Sequence, residues 1–334
     1  MRIAVIGAGN WGTGLAIMAA RAGHVVWVWS RNQAVVDSIN TEHTNSVYLN
    51  AAQIPESVRS TGLIEEALSE VELIILAAPS HATRRVLESM VSSLPASSII
   101  VSATKGIEIE SGKRISQVVA DVMSGVVAPR FVCLSGPSFA TEVVENHPTA
   151  IVAASMNAAA ARLVQSELSF ENLRIYTNDD LVGTELGGSL KNVMAIAAGM
   201  VAGLGFGSNS VAALITRGLA EMTRLALHEG AKLETMMGLA GLGDLVLTCT
   251  GGLSRNRFVG EELGRGRNLE EITAGMHEVA EGINTTRAVK KLADRLGIDM
   301  PITSEVHAVL YEGKPARDAA VELMRRPLRV EANW

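Results

Sequence analysis

Cysteine is nearly absent from the 334-residue chain: Cys133 and Cys249 are the only two, far apart in sequence. No disulfide framework and no thiol metal motif can be built from them, and the composition fits a reducing cytosol. Aromatic residues make up only 4% of the chain, so Ala, Val, Leu, Ile and Met must build its cores. Basic residues are not in excess; the net charge of −6 offers no footprint for nucleic acid. The seven histidines, His24, His43, His81, His147, His228, His277 and His307, show no i,i+4 pair or other ligand spacing, and no metal is assigned. There is no G-x-S-x-G elbow, which argues against an α/β-hydrolase. RIAVIG starts a strand at residue 2 with no basic run or cleavage site ahead of it, so a targeting segment is not expected.

Long apolar runs are missing too. The best candidate, GSLKNVMAIAAGMVAGLGFGSNS at 188–210, is uninterrupted for about a dozen residues, short of the roughly 20 a bilayer requires. Gly203, Gly205, Gly207, Ser208 and Asn209 then break it. A buried core helix is expected there, not a membrane span. It holds one charged side chain, Lys191, placed by this reading at the head of a small-residue apolar helix.

From residue 2 to about 178, short apolar runs alternate with amphipathic stretches: RIAVI, VVWVW, LIILAA, SIIVSA, FVCLS, TAIVAA and LRIY. This is the rhythm of a parallel doubly wound sheet covered on both faces. FVCLS and TAIVAA lie too close for a helical crossover, so a hairpin or mixed region is expected between them. Beyond residue 180 the strands give way to helix-length segments at 180–203, 208–229, 255–265, 281–297, 301–311 and 315–325. The fold class expected is α/β, with domain 1–179 a doubly wound sheet and domain 180–334 all-α. No repeat, low-complexity tract or linker separates them, and length alone is ample for two cores.

The first strand runs into G-x-G-x-x-G at Gly7, Gly9 and Gly12 and then into a helix, the context that gives this pattern meaning. Gly7 allows the tight turn, Gly9 lets backbone approach a pyrophosphate, and Gly12 lets helix and sheet pack closely. Arg31 follows the second strand where NAD enzymes place an acid; a cation there accommodates a 2′-phosphate, although a solvated arginine past a strand reads the same way. Ligands of open α/β sheets collect at carboxyl ends of strands. Lys105 follows SIIVSA and Gly136-Pro137-Ser138 follows FVCLS, each lysine or serine with a glycine neighbour that permits close approach. In the second half, Asp244 lies in AGLGDLVLTCTGG. Ser254, Arg255 and Asn256 bring a hydroxyl, a guanidinium and an amide together, a mix suited to phosphate or carboxylate, or else a solvated helix start.

With these residues in view the chain resembles the bacterial NAD(P)-dependent glycerol-3-phosphate dehydrogenases over nearly its whole length. The resemblance rests on GAGNWGT, ATKGIE at 103–108, LSGPSFATEV at 135–144, the 185–210 block, AGLGDLVLTCTGGLSRNR at 240–257 and VAEGINTT at 279–286. It implies a Rossmann-type NAD(P)-binding domain followed by a helical substrate and catalytic domain. It implies hydride transfer between NADP(H) or NAD(H) and dihydroxyacetone phosphate, giving sn-glycerol 3-phosphate for glycerophospholipid synthesis in the cytoplasm. Lys191 would be the catalytic acid/base. Lys105, Gly136, Ser138, Lys191, Asp244, Ser254, Arg255 and Asn256 would line the substrate site. Besides the three glycines, Asn10, Trp11, Arg31, Tyr48, Lys105, Ala140, Arg255, Val279 and Glu281 would touch the cofactor. The chain departs from the family pattern at Gly14 and Ser189, where alanine is usual, and at Asn50, which replaces a proline. A ketopantoate-type or β-hydroxyacid reductase, or a dinucleotide sensor without catalysis, would share the layout. No membrane or nucleic-acid partner is expected, and a homodimer is the commonest assembly for such a chain.

Overall fold

A computed structural model describes residues 1–49, 52–124, 130–276, 280–328 and 330–331. The chain forms two compact units, one of Met1–Thr104 with Ile115–Leu181, the other of Lys105–Arg114 with Val182–Trp334. A single cut at 179/180 therefore misplaces the ten-residue segment from Lys105 to Arg114, which belongs with the helical half.

The first unit is built on an eight-stranded sheet, β1 (Arg2–Ile6), β2 (Val25–Trp29), β3 (Val58–Thr61), β4 (Leu73–Leu76), β5 (Ile99–Ser102), β6 (Arg130–Ser135), β7 (Thr149–Ala154) and β8 (Leu173–Asn178), in the order β3-β2-β1-β4-β5-β6-β7-β8. The seven expected strands are present. β4 and β5 read LIIL and IIVS and are buried throughout, as strands sandwiched between helices must be. All neighbours are parallel except β6 and β7, which pair antiparallel with Leu134 opposite Ala153. The link between those two holds only the five-residue Ala140–Val144 helix, too little for a crossover. The strand that sequence reading omits is β3, VRST, at the edge of the sheet.

The second unit is helical among its described residues. Its axis is the Leu181–Gly203 helix, buried without a break from Gly183 to Met200. It is the one single helix, among the described residues, long and apolar enough to cross a membrane, and 83% of that window is covered by the rest of the protein. A helix apolar all round is a core helix when other helices wrap it. Around it lie the expected helices Ser208–His228, Arg255–Gly264, Glu281–Leu296, Pro301–Tyr311 and Ala316–Arg325. The Asp244–Thr250 and Leu269–Ala274 helices add to them.

Glycines set how closely two of these helices pack. A Cβ on Gly199 would sit 2.0 Å from the Arg257 carbonyl oxygen, and one on Gly260 would sit 1.9 Å from that of Ile196. The Leu181–Gly203 and Arg255–Gly264 helices thus meet backbone to backbone, at a distance no side chain would allow. Gly187 does the same for the turn before Asp244, since its Cβ would lie 2.5 Å from the Ala240 oxygen.

Candidate active site

Lys191 stands midway along the Leu181–Gly203 helix, not at its head, so its side chain cannot snorkel past a helix end. Its Nζ instead donates to Asp244 Oδ1 at 2.5 Å and to Thr248 Oγ1 at 2.8 Å. Lys105 Nζ donates to the other oxygen of Asp244, Oδ2, at 2.7 Å. Asp244 is fully buried and opens the Asp244–Thr250 helix, directly after the turn that Gly187 admits. Thr248 lies one turn further along that helix and donates to the Asp244 carbonyl at 2.6 Å, which leaves its oxygen facing Lys191.

Two ammonium groups share one carboxylate in this cluster, so it carries an excess positive charge. Burial lowers the Lys191 pKa from 10.5 to about 8; Asp244 opposes the fall and Lys105 assists it. For Asp244 burial works upward, but Lys105 and Lys191 outweigh it and hold the carboxyl below its ordinary value. The cluster is therefore an anion-favouring site with a lysine that can exchange a proton near neutral pH. Cys249, in the same helix, is no competing nucleophile, since burial pushes its thiol up to about 12.

The neighbouring residues divide between exposure and joinery. Ser254 caps the Arg255–Gly264 helix, its Oγ accepting from Arg257 N at 3.2 Å, and Arg255 is exposed at the first helical position. Asn256 points inward: its Nδ2 donates to Asn192 Oδ1 at 3.0 Å and its Oδ1 accepts from Gly282 N at 2.8 Å. It joins three helices just beside Lys191. Glu281 opens the Glu281–Leu296 helix, and Val279 lies outside the described residues. Ser189 is absorbed by its helix, donating to the Glu185 carbonyl at 2.7 Å. Among the described residues no group of three or more His, Cys, Asp or Glu side chains is placed to hold a metal ion.

In the first unit the glycine turn has the expected build. Gly7 has φ +118°, and a Cβ there would lie 2.8 Å from the Ala77 oxygen; one on Gly12 would lie 1.9 Å from the oxygen of Gly7. Gly9 is the N-cap of the Asn10–Arg21 helix, with no side-chain cap and no acid in the first turn, and Asn10 and Trp11 begin the helix. The uncapped, positive end of a helix dipole fits the pyrophosphate of a dinucleotide. Arg31 is exposed immediately after Ser30 at the end of β2. After β6, Gly136 has φ +135° and Ser138 Oγ donates to the Gly136 carbonyl at 3.0 Å. Ala140 starts its helix against Gly14, where a Cβ would make an ordinary contact at 3.5 Å, so the glycine there is not sterically required. Tyr48 is half-buried on the first core, and Asn50 lies outside the described residues.

Models of the NAD-dependent glycerol-3-phosphate dehydrogenase N-terminus and C-terminus match residues 2–161 and 180–321. The chain belongs to this family. A Koribacter versatilis relative named glycerol-3-phosphate dehydrogenase [NAD(P)+] is 53% identical, over 99% of this chain and 98% of its own length. One of the same name from Geobacter sulfurreducens is 48% identical over the same shares. The crystal structure of glycerol-3-phosphate dehydrogenase from Coxiella burnetii matches with a TM-score of 0.93 at 41% identity, covering 97% of this chain and 99% of that one. A ketopantoate reductase from Ralstonia eutropha, at 17% identity and a TM-score of 0.59 over 96% of this chain and 100% of that one, shares the fold alone.

Sequence reading picked out Lys105, Lys191 and Asp244, which the structure brings into one cluster. It missed Thr248 and Asn192. Thr248 carries a signal, its spacing of four from Asp244 on one helix; Asn192 carries none apart from adjacency to Lys191.

Proposed function

We propose that the chain is a glycerol-3-phosphate dehydrogenase [NAD(P)+] that interconverts dihydroxyacetone phosphate and sn-glycerol 3-phosphate. The observation that supports this best is a buried lysine, its pKa lowered to about 8 by that burial, in a cluster that favours anions. When bound, NAD(P)H supplies the hydride that adds to C2 of the ketone. The carbonyl π electrons then move onto oxygen, and the Lys191 ammonium gives that oxygen its proton. Lys191 regains a proton from solvent, and every step runs backward for oxidation. Asp244 keeps Lys191 in place through the reaction, while burial, helped by Lys105, keeps its pKa low and Lys105 adds positive charge opposite the nascent alkoxide.

The phosphate is held by Arg255 and the hydroxyl of Ser254 at the N-terminus of the Arg255–Gly264 helix, where backbone dipole and guanidinium both favour an anion. Asn256 acts through its neighbours Asn192 and Gly282 and, in this reading, offers its remaining amide hydrogen to the substrate. Gly136, Ser138, Ala140, Tyr48, Val279 and Glu281 complete the substrate and cofactor contacts in this reading. The glycine turn holds the pyrophosphate, and Arg31 receives a 2′-phosphate, so NADPH is accepted as well as NADH. The product would serve glycerophospholipid synthesis in the cytoplasm, to which two free, buried cysteines are suited, and the working form would be a homodimer.

Following NADPH absorbance with dihydroxyacetone phosphate, dihydroxyacetone and ketopantoate in parallel tests the reading. Rapid oxidation with the first alone is expected. Turnover of ketopantoate without turnover of the phosphate ester would overturn it.

A further inference from the structure

Asn45 lies outside every motif discussed above, yet it is a fully buried amide beside the glycine turn. Its Nδ2 donates to the carbonyl oxygen of Ala8 at 2.9 Å and to Thr13 Oγ1 at 2.8 Å. Thr13 passes the contact on, its hydroxyl donating to the same Ala8 oxygen at 3.2 Å. On its other side, Asn45 Oδ1 accepts from Tyr48 N at 3.3 Å, and its own carbonyl accepts from Leu49 N at 2.9 Å. One side chain therefore ties the turn at 45–49 to the residue between Gly7 and Gly9.

The peptide joining Ala8 to Gly9 is planar and trans, so its C=O and N–H point in opposite directions. Two donors draw the Ala8 oxygen inward, toward Asn45 and Thr13. The Gly9 N–H is thereby turned the opposite way, at the N-cap of the Asn10–Arg21 helix, which no side chain caps. Glycine has no side chain to hold such a peptide against rotation, so the orientation has to be fixed from outside. Few residues could do this. The position needs two donated hydrogens and one accepted hydrogen from a buried group; an aspartate would set negative charge against the Ala8 oxygen, and serine is too short.

We propose that Asn45 is a positioning residue for the dinucleotide: it locks the Ala8–Gly9 peptide so that the Gly9 N–H faces the pyrophosphate, and in the same stroke it sets the turn that carries Tyr48. This rests on the cofactor reading given above.

The test compares two ligands on the intact protein and on Asn45→Ala. One is NADPH, followed by fluorescence titration. The other is adenosine 2′-monophosphate, which keeps the adenosine end and lacks the pyrophosphate, followed by calorimetry. Loss of an oriented donor to a charged group should raise the Kd of NADPH roughly tenfold. Affinity for adenosine 2′-monophosphate should stay within about a factor of two, and the fall in kcat/KM should be carried by the KM for NADPH. Equal weakening of both ligands, or unchanged NADPH affinity, would overturn the proposal. Should Asn45→Ala not fold, Thr13→Val removes the second anchor of the Ala8 oxygen and is read by the same comparison, with the same two outcomes deciding. A wild-type protein that binds adenosine 2′-monophosphate but not NADPH would instead sink the cofactor reading.

Discussion

An ammonium group inside a helix core is costly unless it is paired and hydrogen-bonded, and Lys191 is both, through Asp244 and Thr248. The pairing does not fully offset burial, which lowers the Lys191 pKa to about 8, and Lys105, drawing on the same carboxylate, adds to the fall. As the proposed acid for ketone reduction, Lys191 must start protonated. Its contribution to kcat/KM is full below about pH 8 and is lost as pH rises through it; for oxidation the neutral amine is needed, and the slope reverses. Removing the Lys105 charge with Lys105→Met takes away an influence that lowers this pKa, so both limbs should move to higher pH. Asp244→Asn should move them lower. A pH profile of kcat/KM for the three proteins reads the shifts, and coincident limbs would show that the pair does not tune Lys191. Lys191→Met should cost roughly 10²- to 10⁴-fold in kcat while NADPH binding persists. Retention of more than about a tenth of kcat, outside the range for a lost acid/base, would make the lysine structural. At Arg31, exposed at the end of β2, Arg31→Asp should reduce kcat/KM with NADPH far more than with NADH. Equal losses would show that this side chain does not read the 2′-phosphate.

At the scale of elements, the seam between the Leu181–Gly203 and Arg255–Gly264 helices links the lysine to the proposed phosphate grip. Gly260→Ala would place a methyl 1.9 Å from the Ile196 oxygen, and neither backbone can yield without moving its whole helix. Overpacking of this kind costs about 1 to 3 kcal/mol or more, measurable by urea denaturation. Gly252→Ala, where a Cβ meets nothing within 4 Å, is the control and should leave stability nearly unchanged. A second joint lies where Glu221, on the Ser208–His228 helix, accepts from Ile302 N and Thr303 N at 2.8 Å each, capping the Pro301–Tyr311 helix from outside. Glu221→Gln turns an N–H toward an N–H and should destabilise by about 1 to 3 kcal/mol, seen as a lower Tm. Elements of this kind differ in how plainly the sequence announces them. Apolar strands such as LIIL are unmistakable because burial on both faces demands them. VRST at the sheet edge has a polar, partly exposed pattern and looks like a loop. The spacing of Gly199 and Gly203, and of Gly260 and Gly264, is visible in the sequence, but which pair meets which depends on a tertiary crossing that no local pattern encodes. The apolar run that begins near Lys191 makes it look like a helix head, although the helix-length segment expected at 180–203, like the observed helix from Leu181, already sets it mid-helix.

For the whole molecule, the division into a sheet unit and a helical unit follows from the change of period near residue 180, but the Lys105–Arg114 excursion does not. It looks like any loop after a strand. Within the helical unit it is anchored by Lys105 on Asp244, by a 2.6 Å ion pair of Arg114 with Glu185, and by Ile107, buried in the second core. A fragment of residues 180–334 lacks all three. Its urea unfolding, followed by circular dichroism, should be broader and centred at lower denaturant than that of the helical unit in the intact chain. An identical, sharp transition would show the excursion to be dispensable.

The same excursion has a consequence in time. A ribosome delivers Lys105 early, among the residues of the sheet, but its partner Asp244 follows 139 positions later and Lys191 well before that partner. Chain emerging at about 5 to 20 residues per second leaves Lys105 without Asp244 for roughly 7 to 28 seconds. A nascent chain can thus carry every strand of the sheet unit before the cluster is complete. The reactive cluster closes only when the last of its three members is made, so a chain cut short before Asp244 would carry both lysines and lack the carboxylate that joins them.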